Sequence, residues 1–182
     1  MRRLKYHVGV TLDGFIAHAD HTTDGFMPFF QGEHVDEFLD SYRLSDTVLM
    51  GRRTYEFGVR LGVTNPYPMM RQYVFSQSMK ESPDPNVELV SGDAVGVVRR
   101  LKQEDGKGIW LCGGGELAAT LIEAGLIDEV VVKLYPVLFG AGIPMLARRV
   151  PPAALQLRHS KTYRSGVQLL TYDVENPAAA PS

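Results

Sequence analysis

Two short stretches of this 182-residue sequence could bind an anion by the same chemistry. In "IWLCGGGELAATLIEAG", residues 109–125, Gly113, Gly114 and Gly115 stand between a run that reads as a buried strand and one that reads as a helix. One glycine with φ > 0 is enough for a tight strand-to-helix turn. Three of them leave bare backbone at a helix N-terminus, where open N–H groups and the helix dipole favour a phosphate. A compact turn packed on its neighbouring strand is the other reading of the triplet. In "LMGRRTYE", residues 49–56, a strand ends, Gly51 permits close approach, Arg52 and Arg53 bring charge, and Thr54 can hydrogen-bond at the start of the next helix. Arginines at a helix N-terminus oppose the dipole, so this pair calls for a negative ligand or a nearby acid. A solvated basic pair partnered by Glu56 is the alternative.

Other residues offer weaker chemistry. In "FSQSM", Ser76, Gln77 and Ser78 follow a strand and could complete a phosphate's hydrogen bonds, or be ordinary polar residues at a strand end. Asp13 in "TLDGFIA" is either an acid at the carboxyl end of the first strand or the cap of a turn ahead of Gly14. His18, Asp20, His21 and Asp24 in "AHADHTTDG" have ligand chemistry, but with no cysteine and no second cluster they read as a solvent-exposed loop, and no metal is expected. Cys112, the single cysteine, excludes an intramolecular disulfide and reads as a buried thiol in "IWLC". "LFGAGIPML" either shapes a pocket or only reverses the chain at Gly140 and Gly142.

The elements that must position these residues follow from periodicity. Leu4, Tyr6, Val8 and Val10 alternate with Lys5, His7 and Gly9, which predicts a half-buried strand. "TVLMG", "YVFSQ", "VELV", "GIWLC" and "DEVVVKLYPVLF" are apolar runs suited to interior strands. Between them, residues 93–103 place Ala94, Val97, Val98 and Leu101 on one helical face with Ser91 or Asp93 as cap, and residues 116–124 do the same with Leu117, Leu121 and Ala124. After Pro151 and Pro152, "LQLRHSKTY", "RSG" and "VQLLTYDV" predict a hairpin. The result is an α/β protein with a mixed, mostly parallel central sheet that ends in an antiparallel hairpin. Ligands of such sheets bind beyond the carboxyl ends of the strands, which is where the loops above fall.

Composition bounds the partners. The chain is 45% hydrophobic and 22% charged, with a net charge of -2. That balance gives no global attraction to nucleic acid or to an anionic membrane, so a small-molecule partner is expected. One domain is expected over residues 1–174, followed by a disordered tail at 175–182, "ENPAAAPS". No stretch reads as a signal peptide or a membrane span, and a cytoplasmic location is the expectation.

In their order and spacing, "TLDGFIA", "LMGRRTYE", "YVFSQ", "LCGGGELAATLIEAGLIDE" and "YPVLFGAGIPML" resemble the dihydrofolate reductase-like family. Within it they look most like the reductase domain of the bifunctional riboflavin-biosynthesis deaminase-reductase proteins. The resemblance implies a three-layer α/β/α fold, NADPH as hydride donor, and a pyrimidine, pterin or related heterocycle as substrate. Cofactor contacts would fall on Gly51, Arg52, Arg53 and Thr54, on Ser76 and Gln77, and on Gly113, Gly114, Gly115, Glu116 and Leu117. An arginine of the second loop and Ser76 would meet the adenosine 2'-phosphate, and Glu116 would serve as a helix start. On the substrate side Asp13 matches the acid of the riboflavin-type reductases. Dihydrofolate reductases instead use a carboxylate on the helix before the second loop, and there Asp36 is the nearest residue, one place out of register. Asp13 is the expected proton donor and Asp36 its rival. The resemblance also implies a homodimer, as does the apolar stretch "VVVKLYPVLFGAGIPML", longer than one sheet edge needs to bury. The alternative function is an NADP(H)-binding sensor or partner protein without catalysis.

Overall fold

The structure, a computed structural model, describes residues 1–175, so all but the first residue of the expected tail lies outside the described residues. Its strands are β1 (Leu4–Thr11), β2 (Phe15–Ala17), β3 (Ser45–Gly51), β4 (Arg71–Phe75), β5 (Val87–Val90), β6 (Gly108–Gly113), β7 (Glu129–Tyr135), β8 (Ile143–Pro144), β9 (Leu155–Thr162) and β10 (Gln168–Val174). Its α-helices are α1 (Glu33–Ser41), α2 (Arg52–Arg60), α3 (Ala94–Gln103) and α4 (Gly115–Glu123). The main sheet has the order β5-β4-β3-β6-β1-β7-β10-β9, parallel as far as β7 and antiparallel through the closing hairpin. The small β2–β8 pair lies apart from it.

Alternation along the strands splits the side chains between two cores. Leu4, Tyr6 and Val8 of β1 pack with Leu111 and Val130, and α3 and α4 cover them with Val98, Leu101, Leu117 and Leu121. On the other face Val48, Met50, Val74 and Trp110 meet Tyr55 of α2 and Phe38 of α1. The three layers and the terminal hairpin are those expected. Asp93, not Ser91, caps α3 by accepting from the Gly96 N–H at 2.9 Å.

Some expectations fail for identifiable reasons. The run from Asp128 is a strand only to Tyr135; Pro136 follows, and the chain leaves the sheet there. β7 is also interior, held between β1 and β10, so the apolar run does not lie on a sheet edge. The edges are β5 and β9, and on β9 Leu155 and Leu157 are 45% and 52% exposed. The polar loop after β2 is not uniformly solvated: His18 stacks on Phe139 with ring centroids 3.8 Å apart, while His21, at φ 69°, is half-buried.

At the amino ends of the strands, two cations are buried with partners. Arg2 bonds the Asp46 carboxylate, the Thr47 hydroxyl at 2.8 Å and the Lys107 carbonyl at 2.6 Å. Lys102 bonds the Asp128 carboxylate and the Leu126 carbonyl at 2.7 Å. Asp128 also accepts from the Leu4 N–H at 2.7 Å, tying the loop before β7 to the start of β1.

Candidate functional site

At the carboxyl ends, β3 runs directly into α2 and β6 into α4, and the two crossings touch. A Cβ on Gly51 would lie 3.2 Å from the Gly114 Cα, and Gly114 itself has φ +108°, which an L side chain rarely adopts. A Cβ on Gly113 would come 3.2 Å from the Thr54 hydroxyl, and one on Gly115 would come 2.8 Å from the Pro144 carbonyl. Every glycine of the triplet therefore has a packing reason, as the compact-turn reading requires. The packing has a second consequence. Gly51 and Gly114 are the N-caps of α2 and α4 and neither offers a side chain, so the first-turn N–H groups of both helices stay open.

Both N-termini line one cavity of about 630 Å³. Gly51, Arg52, Arg53 and Thr54 border it from α2, and Gly113, Gly114, Gly115, Glu116 and Leu117 from α4. Ser76 and Gln77 join them from the end of β4. Arg52 is committed to Glu56 at 2.8 Å, one helical turn on, whereas Arg53 is exposed and has no ion-pair partner among the described residues. The Ser76 oxygen accepts from the N–H groups of Met79 at 2.9 Å and Ser78 at 3.2 Å, which leaves its hydroxyl proton to donate. Glu116 points its carboxylate outward, 3.9 Å from Arg148.

Beyond this cradle the walls are aromatic. Phe26, Phe38, Trp110 and Tyr135 line them, with Ile143 of the "LFGAGIPML" stretch. The Trp110 indole donates to the His7 carbonyl at 3.3 Å. Cys112 lies beside the Tyr67 hydroxyl at 3.4 Å, and burial pushes its thiol up to about 11, so it stays protonated and unreactive. His7 and Lys133 line the cavity from β1 and β7. Neither residue is singled out by sequence motifs. Lys133 did carry a signal, being a lone cation inside the apolar run "VVVKLY".

The two candidate carboxylates are not among the residues lining the cavity. Asp13 accepts from the Thr11 hydroxyl at 2.5 Å, from the Gly140 N–H at 2.7 Å and from the Phe139 N–H at 3.2 Å. The Thr11 hydrogen bond, then those of Gly140 and Phe139, hold its carboxyl below the usual range. It ties the loop after β1 to the loop after β7, and an ionised carboxylate so held is a poor proton donor near neutrality. Asp36 is exposed in the first turn of α1. Among the described residues no three or more His, Cys, Asp or Glu side chains converge as metal ligands, and no helix is long and apolar enough to cross a membrane.

Comparison with known proteins agrees with this architecture. Over 168 residues the chain is 35% identical to YwjB of Bacillus subtilis (strain 168), covering 92% of this chain and 96% of that one. It is 30% identical to YyaP of the same organism, over 94% of each chain. A putative riboflavin biosynthesis protein from Shewanella sp. PV-4 superposes with a TM-score of 0.83 at 24% identity, covering 97% of this chain and all of that one (100%). A diaminohydroxyphosphoribosylaminopyrimidine deaminase/5-amino-6-(5-phosphoribosylamino)uracil reductase from Thermotoga maritima gives a TM-score of 0.71 at 16% identity, over 95% of this chain and 56% of that one. The family model described as the RibD C-terminal domain matches residues 2–169. The chain therefore belongs to the RibD C-terminal domain family.

Proposed function

We infer that the protein is an NADPH-dependent reductase that delivers hydride to an electron-poor heterocycle of pyrimidine, pterin or related type. The observation that carries this reading is the meeting of two uncapped helix N-termini across the Gly51–Gly114 contact, at one end of a cavity with aromatic walls. That cradle fits a dinucleotide. The open N–H groups of α2 and α4 suit the pyrophosphate, and the free Arg53 guanidinium with the Ser76 hydroxyl suits a 2'-phosphate. Reduced nicotinamide supplies the hydride when bound. The chain's part is to orient the two rings between Phe38, Trp110 and Tyr135 and to keep water out.

Of the two expected rivals for proton donor, Asp13 enters this proposal as a positioning residue that fixes the loop carrying Phe139 and Gly140, and Asp36, exposed on α1, is given no role. Pairing into a homodimer belongs to it too. The exposed β9 edge, with Leu155 and Leu157, is the surface that supports it. A cytoplasmic setting suits a reductase fed by NADPH.

Calorimetric titration with NADPH and NADH, followed by NADPH oxidation over a panel of pyrimidinediones and pterins, tests the reading. NADPH should bind roughly tenfold to a hundredfold more tightly than NADH, the scale of one charge-assisted contact, and at least one ring should be turned over. Equal affinities for the two cofactors would sink the 2'-phosphate assignment. The alternative of a non-catalytic NADP(H) sensor is supported by the absence of both candidate carboxylates from the cavity lining, and tight NADPH binding with no turnover would select it.

A further inference from the structure

Two polar side chains in the wall of the cavity have no hydrogen-bond partner among the described residues. Lys133 and His7 rise from the same face of adjacent strands, since Gly9 pairs with Lys133 and His7 with Val131. Lys133 is 9% exposed, and among the described residues its ammonium meets no carboxylate and makes no hydrogen bond. Its nearest companions are the rings of Phe38, with the centroid 4.2 Å away, and Tyr135, at 5.8 Å. Aromatic faces attract a cation but leave its three N–H donors unused. Burial holds this lysine down at about 8, still charged at neutral pH. His7 is buried with no partner at all for Nε2. Burial, then the charges of Lys5 and Lys133, hold it neutral, down at about 3.

The acidic side of the cavity is nearly empty. Glu116 is the one carboxylate among the lining residues, and its side chain is 70% exposed beside Arg148. A ring recognised through an amidine or guanidine-like edge would need a buried carboxylate here, and none of the described residues supplies one. What the wall offers is a cation and an imidazole between flat apolar faces. We propose that Lys133, with His7 beside it, is the substrate-recognition end of this site and takes a planar ring acid, binding its ionised or carbonyl oxygen.

This rests on the reductase reading only for why such a ring should bind. An oxygen that gains negative charge as the ring is reduced finds a proton held at Lys133 Nζ. His7 Nε2 gives the ring a second polar contact, and Phe38 and Trp110 flank its faces.

Trp110, the single tryptophan of the sequence, reports occupancy through its fluorescence. The probes are barbiturate, a planar ring anion, and 2,4-diaminopyrimidine, a planar ring with an amidine edge, each titrated into the full-length protein. Barbiturate should quench Trp110 saturably and bind more tightly than diaminopyrimidine. Lys133→Met should weaken it by about tenfold or more, while Lys133→Arg keeps it within about threefold of wild type. NADPH affinity, measured separately by calorimetry, should change by less than about twofold in Lys133→Met, since the phosphates sit at the helix ends. Circular dichroism checks the fold, with Lys133→Gln as the second charge-free variant. Equal barbiturate affinity in wild type and the folded charge-free variant, or tighter binding of diaminopyrimidine, overturns the proposal. Lys133-dependent barbiturate binding in a protein that does not bind NADPH supports the anion site and defeats the reductase reading instead.

Discussion

Arg2 and Lys102 at the amino ends of the strands are 6% and 4% exposed, and Lys133 on the cavity side is 9% exposed, yet their surroundings are opposite. The first two each meet a carboxylate and a backbone carbonyl. Lys133 meets two aromatic rings. A buried charge costs several kcal/mol to desolvate, and a carboxylate with good geometry offsets most of that. Where the offset is built in, the charge is part of the fold. Where it is missing, the fold carries the cost and a ligand can supply the partner. The same contrast separates Arg52, spent on Glu56, from Arg53, which has no ion-pair partner among the described residues.

Breaking the amino end should give the largest effect. In Asp128→Ala, Lys102 loses its one carboxylate partner among the described residues and the Leu4 N–H its acceptor. Removing one member of a buried pair costs about 3 to 5 kcal/mol, and because Asp128 is 28% exposed the lower figure applies. For a chain of this length that lowers Tm by roughly 6 to 12 °C. The affinity for NADPH should stay at its wild-type value, because the pair is at the far end of the sheet. A melting curve unchanged by Asp128→Ala would remove the contrast on which the comparison rests.

The same kind of change at the cavity should have the reverse sign. Lys133 is held at about 8 against an ordinary 10.5, so folding below pH 8 must keep a charge that the interior disfavours. From pH 8 to 10.5 the unfolded chain binds more protons than the folded one, so wild-type stability from this group rises across that window. Lys133→Met removes the cost. It should therefore stabilise the protein at pH 7 by up to about 3 kcal/mol, and the advantage should fade by pH 10.5. The neighbours cancel between the two proteins: His7 is neutral throughout, and the Cys112 thiol, pushed up to about 11 by burial, and the Tyr135 phenol, pushed up to about 12, lower the stability of wild type and variant alike toward high pH. Denaturant melts of both proteins at several pH values measure it, and a variant less stable than wild type at pH 7 contradicts the account of an unpartnered charge.

The two ends also differ in how far the sequence discloses them. The strands, α3 and α4, the hairpin and the two glycine-bearing crossings are legible because each depends on a local pattern: alternation, a 3.6-residue face, or glycines between a strand and a helix. The Arg2–Asp46 and Lys102–Asp128 pairs are not legible, since they join residues far apart in the chain. Asp13 shows the same limit. Its position after β1 reads equally as an acid or a turn cap, and what decides its placement is a pair of N–H groups at Phe139 and Gly140, more than a hundred residues on. His7 sits where alternation predicts the polar, solvent side of a half-buried strand. Only the β1–β7 register, with α1 laid over it, turns that side into the wall of a cavity. The spacing of Arg52 and Glu56, by contrast, displays their i,i+4 pair directly.

The smallest expected effect separates those neighbouring arginines. If the free cation meets the 2'-phosphate, Arg53→Ala should lower NADPH affinity by roughly tenfold to a hundredfold and leave NADH affinity alone, since only NADPH carries that phosphate. Arg52→Ala frees Glu56 from a half-buried i,i+4 pair on the surface of α2, a contact that contributes about 0.3 to 0.5 kcal/mol, and should change both cofactors by less than about threefold. Salt sharpens the distinction. The preference for NADPH in wild type should shrink as ionic strength rises, because the Arg53 side chain is exposed and its charge is screened over about 10 Å at 0.1 M, and in Arg53→Ala little preference should remain to be screened. If Arg52→Ala instead abolishes the preference, the Glu56 pair opens on binding, and a partner present in the protein no longer separates structural cations from binding ones.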